Sequence, residues 1–103
     1  MIAVQRQMDI TGGRRGPENL SPEDVVPWAR AQLEVAEEII DNPGGGLLFA
    51  SQTVGQVKAA LQEFDEVRWH AVVEMLDEAE DAGVKRRFDD ARLLIAQAAR
   101  ALG

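Results

Sequence analysis

The chain contains no cysteine, which excludes a disulfide framework, a thiol nucleophile and any cysteine-ligated zinc site. It has a single histidine, His70, and only two lysines, Lys58 and Lys85, beside nine arginines. With one imidazole in the chain, any further metal ligands have to be carboxylates or come from another copy. Scarce lysine and a net charge of −7 count against direct nucleic-acid binding, which needs cations clustered along a phosphate backbone. No apolar run approaches the roughly 20 residues required to span a bilayer. The N-terminus lacks the basic-then-apolar pattern of a signal peptide. A cytoplasmic protein with no membrane partner is therefore expected. The glycines at 44–46 do not read as a phosphate loop, because no Gly-Lys-Ser/Thr follows them and no strand precedes them.

What is present suits one domain. A chain of 103 residues, 46% hydrophobic and 28% charged, is long enough to bury a core without disulfides or metals. Plentiful alanine and arginine with little lysine resemble the usage of a high-GC bacterial or phage genome. The acidic balance fits a soluble protein whose partner, if charged, is basic.

Residues 1–20, with apolar side chains sparse and Gly12, Gly13, Gly16 and Pro17 among them, are expected to form a flexible N-terminal arm. Residues 21–103 are expected to form a helical domain. Ser21 can cap a helix, Pro22 suits its first position, and Glu23 and Asp24 favour its positive end. Pro27 complicates this start: either the helix kinks there, or SPED is a separate turn and the main helix begins near Pro27. Trp28, Ala29, Leu33, Ala36, Ile39 and Ile40 then recur at helical spacing. Asp41, Asn42, Pro43 and the glycines end the helix. Leu47, Leu48 and Phe49 are expected to pull the connection back onto the core.

From Ser51, read as an N-cap, to Gly83, read as a C-terminal cap, the apolar positions stay in phase. Val54, Val57, Leu61, Phe64, Ala71, Val72, Met75, Leu76, Ala79 and Ala82 fall on one side; Glu63, Glu66, His70, Glu74, Asp77 and Asp81 fall on the other. The preferred reading is one helix over about 52–82, about 45 Å long. Asp65 and Arg68 sit awkwardly on its apolar side, and the alternative is a break at which Asp65 caps a new helix. In the last segment Val84, Phe88, Ala91, Ile95, Ala98 and Leu102 form a heptad-like seam. The fold expected is all-α: a small three-helix bundle with helices at about 22–41, 52–82 and 85–102 and a long central helix, or a four-helix bundle if the centre breaks.

Three groups of residues are candidates for function. Glu66, His70 and Glu74 share a face of a continuous helix, with carboxylate and imidazole chemistry that suits zinc or iron. They do not match the Glu-x-x-His pattern of di-iron bundles, since Val67 precedes His70 by three residues. An acidic, solvated helix face accounts for them as well. Trp69, Val73 and Leu93 widen the apolar surface and mark either a core shared by two neighbouring helices or an interface. The band from Glu63 to Asp81, in which Glu74, Asp77 and Asp81 are the candidate contact residues, imitates a line of phosphates or is an ordinary helix face.

No catalytic constellation and no cofactor motif are present in this pattern, so a non-enzymatic protein is expected. The function read from these features is a protein–protein interaction module: a small adaptor, assembly factor or regulator. Its partner is a protein, basic if charged, and a homodimer is expected through Trp69, Val73 and the last-helix seam. The alternative is an acidic decoy that occupies the basic surface of a nucleic-acid-binding protein. A third reading is a helical protein that binds metal through Glu66, His70 and Glu74.

Overall fold

A computed structural model describes residues 20–103. The expected arm lies outside the described residues apart from its last member, Leu20, which packs against the core. The described residues form four helices: α1 (Val25–Ile39), α2 (Gly46–Asp65), α3 (His70–Val84) and α4 (Phe88–Ala101). None of these is long and apolar enough to cross a membrane.

The proline at 27 sets the start of α1. Ser21–Asp24 is a separate turn, closed by the Asp24 N–H donating to the Ser21 carbonyl at 2.9 Å. The Ser21 hydroxyl donates to the Asp24 carboxylate at 2.7 Å and is not the helix cap. Pro27 is the third residue of α1, within the first turn, where backbone N–H groups have no helical acceptor. The ring therefore removes no bond, and the helix starts at Val25 instead of residue 22. Val25, Ala29, Leu33, Ala36 and, just beyond the helix, Ile40 are buried, at the spacing of one helical face.

The connection from α1 to α2 is shorter than expected, and Ser51 is not a cap but lies inside α2, which begins at Gly46. Gly45 has φ 110, a left-handed conformation that favours glycine. Gly46 lies so close to the end of α1 that a Cβ there would stand 2.1 Å from the Ile39 carbonyl oxygen. Only glycine allows the two helices to meet this tightly.

The long central helix breaks. α2 ends at Asp65, residues 66–69 turn, and α3 begins at His70. Asp65 accepts the Arg68 N–H on its carboxylate at 3.1 Å and the Trp69 N–H on its carbonyl at 3.1 Å. The cause is the pair that fitted the continuous helix badly. An unbroken helix would turn Asp65 and Arg68 inward, and burying charge without full pairing is costly. The break leaves both exposed and turns Trp69 inward instead. It also resets the phase of α3: Ala71, expected inside, is exposed, and Val73, expected further out, is buried.

α3 ends in the αL-capped geometry in which two reversed hydrogen bonds close the last turn. The Arg87 N–H donates to the Ala82 carbonyl at 2.8 Å and the Arg86 N–H to the Gly83 carbonyl at 3.0 Å. The left-handed residue is Arg86, at φ 64, and not Gly83. Gly83 lies in the helix and lets Leu47 approach, its Cδ1 being 3.1 Å from where a Cβ would sit. Val84, expected in the seam, is 71% exposed.

Neighbours run in a closed ring, α1 beside α2, α2 beside α3, α3 beside α4, and α4 beside α1. Each helix sends at least one fully buried branched side chain to the centre: Leu33, Val57 and Leu61, Leu76, and Ile95. Ala91, Ile95, Ala98 and Leu102 of the seam are all buried, so the seam is used within the chain. Among the described residues no polar or charged residue is buried. Specific ion pairs sit at the edges. The Arg92 guanidinium of α4 pairs with Asp41 and donates to the Glu37 carbonyl at 3.3 Å, so a cation from α4 satisfies the carbonyl-rich end of α1. The hydrogen bond from Arg92 holds the Asp41 carboxyl below its ordinary value of 3.8.

Candidate interaction surface

The metal candidates do not share a face. Because the helix is broken, Glu66 lies in the turn before α3 while His70 opens that helix. His70 Nε2 stands 3.1 Å from the Glu74 carboxylate, and both side chains are exposed. Among the described residues no three histidine, aspartate or glutamate side chains converge as a metal site requires.

Three of the eight carboxylates in the acidic band, Asp77, Glu80 and Asp81, are paired with lysines of the same chain. Lys58 of α2 reaches across to α3 and stands 2.6 Å from both Asp77 and Glu80. Partial burial lowers the lysine's proton affinity, but the two carboxylates outweigh it and hold Lys58 above its ordinary 10.5. Lys85 pairs with Asp81 at 3.0 Å, one turn away on α3. Glu74, Asp77 and Asp81 are exposed, as expected, but each has a cationic or imidazole neighbour.

Of the three apolar candidates, two are core. Trp69 is 5% exposed and Val73 is 7% exposed. The Arg68 guanidinium lies 4.4 Å above the Trp69 ring and covers its outer side, a favourable cation–π contact. These two residues belong to the wide-core alternative, and they offer a partner no surface. With Ala91, Ile95, Ala98 and Leu102 of the seam also buried, most of the residues expected to form a dimer contact are part of the core, while Val84 of the seam is exposed. Leu93 does face outward, at 55% exposure.

Leu93 stands at an open groove of about 560 Å³ between α3 and α4, lined also by Asp77, Glu78, Asp81, Ala82, Lys85, Arg87, Asp90 and Leu94. Three of the sequence candidates, Leu93, Asp77 and Asp81, therefore meet in one place. Sequence reasoning missed Glu78, Asp90 and Arg87 as their companions. Helical phase placed Leu93 outside the seam, but only the pairing of α3 with α4 sets it across from the α3 carboxylates.

A second apolar surface was not anticipated. Leu48 and Phe49 do not fold onto the core; they are 61% and 56% exposed. Leu48 and Val84 line an open cleft of about 550 Å³ at the end of the bundle, together with Leu47, Phe88 and the glycine turn. The signal was available in the run LLF directly after the glycines, had that run been read as the first turn of a helix. No protein-family model, curated protein or solved structure matches the chain.

Proposed function

We propose that the protein is a non-catalytic interaction module, of the adaptor, assembly-factor or regulator kind, which presents the α3/α4 groove to a protein partner. The observation that carries this reading is Leu93, a large apolar side chain left in solvent in a groove lined by carboxylates from both helices. An apolar anchor inside a charged rim is the usual make-up of a contact surface. The acidic-decoy reading draws on the same band. It is weakened by Lys58, Lys85 and His70, which already engage Asp77, Glu80, Asp81 and Glu74.

The test is co-purification from the native host with wild type, Leu93→Asp and, as a control in the distant turn, Val67→Asp. A specific protein retained by wild type and by the control, and lost with Leu93→Asp, is the expected result. Equal retention by all three, or retention of nothing, refutes the reading.

Self-association is the second reading, and the apolar end supports it. Leu48 and Val84 are the exposed side chains on which a homodimer would close. Light scattering after gel filtration, on wild type and Leu48→Asp, at low and moderate salt, decides it: a dimer that Leu48→Asp converts to monomer supports it, and a wild-type monomer refutes it.

A further inference from the structure

The charges of the groove bear on the chemistry of the partner, on the premise that the chain is an interaction module. Asp77 and Asp81 are already engaged by Lys58 and Lys85. Among the described residues Glu78 on the α3 wall and Asp90 on the α4 wall have no ion-pair partner, and neither does Arg87 at the turn end. Ala82 of α3 and Leu93 and Leu94 of α4 line the same groove. The groove thus combines apolar side chains and a carboxylate from each helix, with Arg87 where α3 turns into α4.

We infer that the groove receives a basic amphipathic helix of the partner, with its apolar stripe on Leu93 and Leu94 and its cations against Glu78 and Asp90. A helix fits this place because two adjacent helices leave a trough along their shared axis, which an amphipathic third helix fills through residues at i, i+3, i+4 and i+7. Cations flanking an apolar stripe meet both walls at once. The helix runs with its C-terminal end toward Arg87, since exposed carbonyls give that end a partial negative charge. It therefore lies parallel to α3. A docked helix here extends the packing of α3 and α4 and leaves the Lys58 clamp intact.

The probe is a synthetic amphipathic peptide of leucine, alanine, lysine and arginine, about 18 residues long so that it holds a helix once docked. Its binding to the full chain is followed by amide chemical-shift mapping. Two controls accompany it: the same peptide with every cation replaced by glutamate, and a scrambled peptide of the same composition with no apolar stripe. The basic amphipathic peptide is expected to bind, with shifts centred on 77–82 and 90–94. The glutamate version should bind at least about tenfold more weakly, because each rim pair is worth a fraction of a kcal/mol and like charges now oppose. Leu93→Ala should weaken binding about tenfold as the apolar anchor is lost, and Glu78→Lys with Asp90→Lys should do so by a similar factor while leaving the circular dichroism spectrum unchanged.

Equal binding of the scrambled peptide would overturn the inference, since charge alone would then suffice. Shifts centred on Leu48 and Val84, no binding, or no preference for the basic peptide would overturn it too. None of these results touches the interaction-module reading, which stands or falls on co-purification and Leu93→Asp.

Discussion

Replacing Gly46 by alanine tests whether the turn between α1 and α2 is held by close backbone contact. The added Cβ would sit 2.1 Å from the Ile39 carbonyl oxygen and 2.9 Å from the Asn42 Cβ, against 3.4 Å or more for ordinary contact. One obstacle is main chain, so no rotamer change relieves it. The ends of α1 and α2 have to separate by on the order of 1 Å in an interior packed as densely as a crystal. Overpacking of this kind costs about 1–3 kcal/mol. The bond from the Gly46 N–H to the Asn42 carbonyl, 3.1 Å long, is strained with it, at about 1 kcal/mol. Together these give a loss of about 2–4 kcal/mol, a large share of the ~5–15 kcal/mol that a domain has. Gly55→Ala in the same helix is the matched control. The nearest atom to its added Cβ is a Glu80 carboxylate oxygen at 4.0 Å, so the better helix propensity of alanine should stabilise by about 0.5–1 kcal/mol. Urea unfolding followed by circular dichroism reads both. If Gly46→Ala unfolds at the wild-type midpoint, or both variants shift in the same direction, the reasoning about this turn is wrong.

Arg86 occupies a left-handed position that costs a side-chain-bearing residue about 1 kcal/mol, so Arg86→Gly should raise the urea midpoint; a lower midpoint would mean that the arginine side chain contributes more than its backbone costs. Asp41 contributes stability at pH values above its ordinary 3.8, and loses it as the pH falls through the lower value that Arg92 imposes. The stability gap between wild type and Asp41→Asn should therefore close on acidification, and a gap independent of pH would contradict the pairing. At the alkaline end the sign reverses: Lys58 contributes fully below 10.5 and loses its effect as the pH rises through its raised value, so the advantage of wild type over Lys58→Met should shrink there. Leu76→Ala empties the centre of the bundle at a fully buried site and should cost about 2–5 kcal/mol by urea unfolding; a loss below about 1 kcal/mol would place Leu76 outside the core.

The helical character of the chain and most of its core were legible from spacing alone. Leu33, Ala36, Val54, Val57, Leu61, Leu76, Ala79, Ala91, Ile95 and Ala98 lie inside as periodicity requires. The errors cluster where phase is not enough. A pattern that stays in register through residues 52–82 is compatible with one helix or with two, and the misfit of Asp65 and Arg68 was the only local sign of the break. Ser51 and Gly83 looked like caps because their residue types often cap, whereas here Ser51 lies within α2 and Gly83 serves a close helix approach. The candidate surface was half legible: Leu93, Asp77 and Asp81 meet at one groove, whereas for Trp69 and Val73 the pattern left core and interface open, and packing put both in the core.

By itself the sequence determined that this protein is acidic, free of cysteine and built of amphipathic helices, because charge, residue chemistry and a period of 3.6 are properties of the chain that need no partner to express them. Which residues face one another was decided only by tertiary structure. Folding α3 back on α2 buried Trp69 under Arg68, brought Lys58 to Asp77 and Glu80, and closed the seam of α4 onto the rest of the bundle. The same arrangement left Leu93, Glu78 and Asp90 around one groove. Side-chain burial and charge pairing between residues distant in sequence depend on how the helices pack, and helical phase within a segment does not specify that packing.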